Sequence, residues 1–113
     1  MKKSKSEAFE KFHQENPDLY RVLVAQARRW VRATGRHRLG IASLFETARW
    51  EVSISTTDPD FKIPNDHKPF YARLIMVQEA DLAGLFELRR AEADEWIDEW
   101  IRKMIAEGWS DDD

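Results

Sequence analysis

The segment from Ala93 to Ile105 constrains the fold more than any other part of the chain, because its apolar side chains recur at helical spacing. Charged side chains occupy the opposite face, so the pattern predicts an amphipathic helix over residues 91–108. Left in water, its apolar stripe would expose several hundred Å², more than a monomer usually shows in one patch. We therefore expect this stripe to form a protein interface, either against the rest of the chain or in a homodimer, through Trp96, Ile97, Trp100, Ile101 and Met104.

Start and stop signals predict further helices upstream. Asn16-Pro17 is typical of a helix start, with Asn as the N-cap and Pro in the first turn. Gly35 supplies the left-handed residue that commonly ends a helix. Combined with apolar residues at three- and four-residue spacing, these signals predict helices over about residues 6–14, 17–34, 40–53 and 69–78.

Two short segments have strand character. Residues 61–63 alternate between apolar and polar types, and Leu85–Leu88 is a candidate partner strand because Gly84 disfavours a helix there. The expected fold is therefore mainly α: a compact helical domain over residues 1–90, winged-helix-like if these segments form one short β pair. An acidic amphipathic helix and tail over residues 91–113 would follow it.

Charge is distributed unevenly along the 113 residues. The net charge is −3, which by itself argues against nucleic acid as a partner. However, residues 1–40 carry ten Lys or Arg against four Asp or Glu, whereas residues 91–113 carry two against nine. A basic first third could hold a polyanion while an acidic tail sets the total.

Several classes of protein are disfavoured by composition. The chain has no cysteine, which excludes disulfides and thiolate metal sites and fits a reducing cytoplasm. No apolar run reaches membrane-spanning length. The N-terminal lysines are not followed by the apolar stretch of a signal peptide. We therefore expect a cytoplasmic protein with no membrane contact.

Catalytic and metal-binding motifs are weak. The histidines at positions 13, 37 and 67 do not have the close spacing of zinc ligands, so no metal and no cofactor are expected. Asp60-Phe61-Lys62 resembles part of a metal-dependent nuclease motif. That chemistry needs a second acidic residue on a separate element, and no clear one precedes it. A non-catalytic protein is the preferred interpretation.

Basic side chains instead indicate a nucleic-acid interface. Arginines cluster late in the predicted helix 17–34 and in the loop beyond it, and guanidinium groups bind phosphate with two-pronged geometry. The helix over 69–78 follows a polar turn and carries a Tyr and an Arg, as a recognition helix would. The predicted contacts to duplex DNA are Arg28, Arg32, Arg36, Arg38, Asn65, Lys68, Tyr71 and Arg73.

The chain also resembles a family of small uncharacterised proteins of phages and prophages, over roughly residues 9–90. The resemblance rests on Arg38-Leu-Gly-Ile41, Leu44-Phe-Glu46, Arg49-Trp50, Asp60-Phe-Lys62, Asn65, Phe70-Tyr-Ala-Arg-Leu-Ile-Met76, Asp81-Leu-Ala-Gly-Leu-Phe-Glu87 and Arg89-Arg90. It implies a phage-borne protein of the host cytoplasm and states no activity. Relatives often end soon after the final arginine pair, so the last helix looks like an addition. This favours the homodimer through residues 91–108 over docking.

Three functions follow in order of preference. The first is a non-catalytic nucleic-acid-binding module that contacts duplex DNA. The alternative is a phage protein that binds and modulates a host protein, because Trp96, Trp100 and Trp109 are of a type common at binding hot spots. The second alternative is a small metal-dependent nuclease built on Asp60 and Lys62.

Overall fold

The computed structural model describes residues 5–55, 64–89 and 91–108, with only the backbone course given for 49–55. Over this part the chain is mainly helical, as predicted. Two single turns of 3₁₀ helix lie at Asn65–His67 and Ala80–Leu82. The α-helices are α1 (Lys5–Glu15), α2 (Pro17–Thr34), α3 (Ile41–Ser55), α4 (Lys68–Gln78) and α5 (Glu92–Ala106).

Helix α2 has the bounds that its sequence signals predict. Pro17 occupies its first turn, and Gly35 ends it in the left-handed conformation at φ +68°. The Gly35 backbone N–H donates to the Val31 carbonyl at 2.8 Å, which satisfies one of the free carbonyls at the helix end. The buried face carries Leu19, Leu23, Val24 and Ala27.

Helix α4 is the centre of the packing. Its side chains from Phe70 to Ile75 are all buried, which is the pattern of a helix surrounded by protein rather than of one at a surface. Helices α3 and α5 pack against it, and α1 lies across α2 and α5. The fully buried Phe9 of α1 stands 5.1 Å from the Phe70 ring and 5.1 Å from the Trp96 ring, measured between centroids.

The predicted strand at Leu85–Leu88 does not form. Gly84 turns the chain at φ +77°, and the next two residues, Leu85 and Phe86, are both buried. A strand at a surface would send consecutive side chains to opposite faces, so this segment takes an irregular path. The suggested partner, residues 61–63, lies outside the described residues, and the described ranges contain no strand.

Helix α5 docks on its own chain, contrary to the preference for a homodimer. Trp96 and Ile97 are 9% and 7% exposed, and they join the same hydrophobic core as Phe9 and Phe70. The core is therefore not complete without α5, which removes the reason for assigning the whole stripe to a second copy. Trp100, Ile101 and Met104 are half-buried, and Ile105 is 55% exposed. Trp109 lies outside the described residues. None of the helices in the described ranges is both long enough and apolar enough to cross a membrane.

Candidate interaction surface

The arginines late in α2 point to different sides of the helix. Successive residues of an α-helix are about 100° apart, so the neighbours Arg28 and Arg29 have different surroundings. Arg28 faces the segment that follows α4, and Arg29 lines a groove between α2 and α3. The predicted basic cluster is therefore divided into two parts.

Arg28 is held inside the chain by two carboxylates. It lies 2.7 Å from Glu79 and 2.9 Å from Asp81, and it donates two hydrogen bonds to Asp81. The Tyr20 hydroxyl donates to Glu79 at 2.8 Å. Hydrogen bonding to Asp81 raises the pKa of Arg28, and the same bond lowers the pKa of Asp81. Because these acceptors occupy the guanidinium, Arg28 does not fit the predicted phosphate contact.

Arg38 is also paired. It forms a salt bridge with Glu87, and the neighbouring His37 Nε2 is hydrogen-bonded to the Ala83 carbonyl at 2.9 Å. The Leu39 backbone N–H donates to the Leu85 carbonyl at 3.0 Å. Residues 79–89, which we call the acidic strap, thus bind both α2 and the α2–α3 loop.

Two predicted DNA contacts are buried, so their assignment to a DNA-facing surface is wrong. Tyr71 is 0% exposed and Arg73 is 4% exposed. The Arg73 guanidinium donates to Asp94 at 2.7 Å, to the Pro69 carbonyl at 2.9 Å and to the Arg89 carbonyl at 2.8 Å. Arg73 therefore joins α4, the acidic strap and α5, and α4 cannot act as a recognition helix through these two side chains.

The other predicted contacts lie at the surface in separate places. Asn65 is exposed in the 3₁₀ turn before α4. Lys68 is half-buried, with its ammonium 5.8 Å from the centre of the Phe45 ring. Arg32 is exposed near the end of α2, and Arg36 is exposed in the loop that follows. The structure thus brings the arginines together with one another and not visibly with Asn65 or Lys68.

A groove of about 470 Å³ between α2 and α3 is the main concave feature near the remaining arginines. Its apolar side chains include Trp30, Leu39 and Leu44, and Arg29 stands among its lining residues. Trp30 and Leu39 are half-buried, whereas Arg29 is exposed. Within the described ranges, Arg29, Arg32 and Arg36 have no salt bridge. The groove is completed by Gln26, Ala33, Ser43 and Thr47.

Sequence reasoning assigned Trp30 to the core stripe of α2 and did not single out Arg29 as a contact. A signal was present, because Arg and Trp stand side by side there and both types are enriched at binding hot spots. The periodic pattern placed Trp30 on the edge of the apolar face, where a side chain can be either covered or accessible. Only the position of α3 leaves it partly open.

Polar chemistry in the interior is limited to an aromatic cluster around Phe9. His13 Nδ1, His67 Nδ1 and the Tyr71 hydroxyl are buried without a hydrogen-bond partner. Burial lowers the pKa of His13 and of His67, although the nearby Asp66 partly opposes the shift at His67. Burial also raises the pKa of Tyr71. Among the described residues, no group of three potential ligands could hold a metal ion. The nuclease-like Asp60 and Lys62 lie outside the described residues.

Comparisons with known proteins add no identification. No protein-family model matches this chain, and no curated protein or solved structure is significantly similar to it. The resemblance to small phage proteins therefore stays a prediction, and function has to be argued from the surface itself.

Proposed function

We propose that this chain is a non-catalytic module that binds another protein through the groove between α2 and α3. The observation that carries the proposal is the combination of Trp30 and Arg29 on one concave, partly apolar surface. Trp and Arg are the side chains that most often dominate protein interfaces, usually in a desolvated pocket. The predicted role of a host protein as partner fits this surface, and the phage origin implied by the resemblance stays a prediction with it.

The dimensions of the groove favour side chains of a partner as its contents. Its volume of about 470 Å³ is within the range of sites that enclose several large groups. The apolar lining from Trp30, Leu39 and Leu44 would gain from exclusion of water. Polar groups such as Ser43 and Thr47 stand at the same surface and can satisfy a partner backbone.

A site-specific crosslinking experiment tests this proposal. A photoreactive amino acid at Thr47, in the groove, is expected to capture a protein in a bacterial lysate, and the same group at the exposed Glu95 of α5 is expected not to. Ser43→Trp, which fills the groove from an exposed position, should abolish the capture. Equal capture from Thr47 and Glu95, or capture that survives Ser43→Trp, would count against the groove. Nuclease treatment of the lysate separates direct capture from capture bridged by nucleic acid.

Duplex DNA is the second candidate, favoured by the exposed and unpaired Arg32 and Arg36. Binding carried by phosphate contacts would weaken steeply with salt. In a gel-shift titration at several salt concentrations, replacing both arginines with Gln should reduce the logarithmic salt slope by about 2. Arg21→Gln is the matched control, because Arg21 is also exposed on α2 and pairs only with the neighbouring Asp18. Absence of any shift by the unmodified protein at low salt would end this candidate.

A smaller homodimer interface stays possible to test at the end of α5. The docked half of the helix is unavailable, whereas Ile105 is exposed and Ile101 and Met104 are half-buried. Sedimentation of the protein at high concentration, compared with an Ile105→Gln variant, measures whether this face joins two copies. A monomer in both samples would remove the homodimer. No observation favours the nuclease alternative.

A further inference from the structure

We infer that the groove between α2 and α3 accepts an acidic amphipathic helix that inserts one large apolar side chain. This inference rests on the proposed function and adds the chemical class of the partner segment. It is carried by the position of unpaired guanidinium groups beside an apolar depression. Arg29 lines the groove itself, and Arg32 lies one helical turn further along α2.

The end of the groove is basic as well. Arg36 is exposed in the loop that leads from Gly35 to Leu39, and Leu39 lines the groove. A segment lying along α2 would therefore meet positive charge at the middle and at the end of its path. Carboxylates on that segment can accept paired hydrogen bonds from these guanidinium groups.

The chain itself shows how it handles a neighbouring arginine. Arg28 receives two carboxylates from the acidic strap, Glu79 and Asp81, at hydrogen-bonding distance. Arg38 receives Glu87 from the same strap. On the groove side, Arg29 has no such partner among the described residues. An acidic partner would supply from outside what the strap supplies on the other side of α2.

The apolar lining selects for an anchor side chain. Trp30 and Leu44 come from different helices and form opposite parts of the groove. An aromatic or large aliphatic side chain placed between them would lose its contact with water. Duplex DNA could use the arginines but has no equivalent group for this depression, so the groove favours a protein segment.

A helical partner fits better than an extended one. Extended peptides usually add a strand to an exposed sheet edge, and the described ranges contain no sheet. Grooves between two helices instead accept the apolar face of a third helix, read at positions i, i+3, i+4 and i+7. Such a helix presents its carboxylates on the sides, where Arg29 and Arg32 would meet them.

Designed peptides test the inference directly. Three labelled peptides of about four helical turns carry the same Trp and Leu residues on one face, and their remaining positions are Glu, Gln or Lys. Fluorescence anisotropy with the full chain should show the Glu peptide binding about tenfold more tightly than the Gln peptide, comparable to one charged hydrogen bond. The Lys peptide should bind most weakly.

Matched variants of the protein locate the effect. Arg29→Gln should remove most of the preference for the Glu peptide over the Gln peptide, whereas Arg21→Gln should keep it. Both arginines are exposed, so neither change threatens the core, and circular dichroism checks that each variant is folded. Ser43→Trp should block all three peptides.

The outcomes separate this inference from the proposed function. If the Gln and Glu peptides bind equally and Ser43→Trp blocks both, the groove binds protein without reading acid, and the inference is overturned alone. If no peptide binds, or binding ignores Arg29→Gln, the inference is also overturned. The crosslinking experiment then decides the proposed function independently.

Discussion

Two regions of this molecule contain the same pair of residue types and use them in opposite ways. In the region where α5 docks, Arg73 and Trp96 are 4% and 9% exposed and are satisfied by neighbours within the chain. In the groove between α2 and α3, Arg29 and Trp30 remain accessible. The difference teaches that Arg and Trp indicate an interface only where the fold leaves them without internal partners.

The largest expected effect separates the two tryptophans. Trp96→Ala should lower the free energy of unfolding by about 3–4 kcal/mol, because it leaves a cavity beside Phe9 and Phe70. Trp30→Ala should cost less than half as much, since Trp30 is only half-buried. Urea unfolding of both variants measures the difference. Equal losses would show that Trp30 belongs to the core and is not held ready for a partner.

The two arginines provide the next contrast. Arg73→Ala should cost about 2–3 kcal/mol, because it leaves Asp94 and the carbonyls of Pro69 and Arg89 without their donor. Arg29→Ala should stay within about 0.5 kcal/mol of the unmodified protein, as exposed positions usually do. Thermal unfolding of the pair checks this. A small loss for Arg73→Ala would mean that its three hydrogen bonds do not fasten α5.

Backbone geometry near the groove gives a smaller effect. Gly35 has φ +68°, so Gly35→Ala is expected to cost about 1 kcal/mol. At Gly40, an added Cβ would meet only Ser43 Oγ at 3.8 Å, so Gly40→Ala should cause little change. The two alanine variants differ by one methyl group each from the native chain. If Gly40→Ala were the more damaging of the two in urea unfolding, the loop that carries Arg36 to the groove would be held differently.

The smallest and most graded effect is a loss of stability in acid. Burial lowers the pKa of His13 and of His67 in the folded protein, and the unfolded value is about 6.5. The folded state therefore binds these protons less readily than the unfolded state, so stability is complete above about pH 6.5 and falls as the pH drops below it. Urea unfolding between about pH 7.5 and 5 measures the slope.

Variants at one histidine site test the cause of this slope. His67→Gln should make it shallower by removing one of the two groups. Asp66→Asn should make it steeper, because the Asp66 carboxylate raises the pKa of His67 and its loss would lower that pKa further. The groove side of the molecule has no part in this effect. An acid slope unchanged in both variants would place its origin elsewhere.

Local signals predicted much of the secondary structure, and their successes are physical. Pro17 and Gly35 act through φ angles and hydrogen bonds within a few residues of themselves, so α2 begins and ends where the sequence indicates. The apolar period of residues 93–105 likewise depends only on helical geometry, and α5 forms there. The strand at Leu85–Leu88 was wrong because Leu85 and Phe86 both enter the core, which alternation along a strand does not allow.

The sequence by itself determined which segments are helices and where charge accumulates along the chain. The tertiary structure decided which of those charges are free. Arg28 meets Glu79 and Asp81 across 51 and 53 residues of sequence, and Arg73 meets Asp94 across 21. Such pairings depend on how helices pack, and a helical pattern gives only the face that a residue occupies. Arg29 is left accessible because the groove leaves it beside α3 rather than beneath the acidic strap.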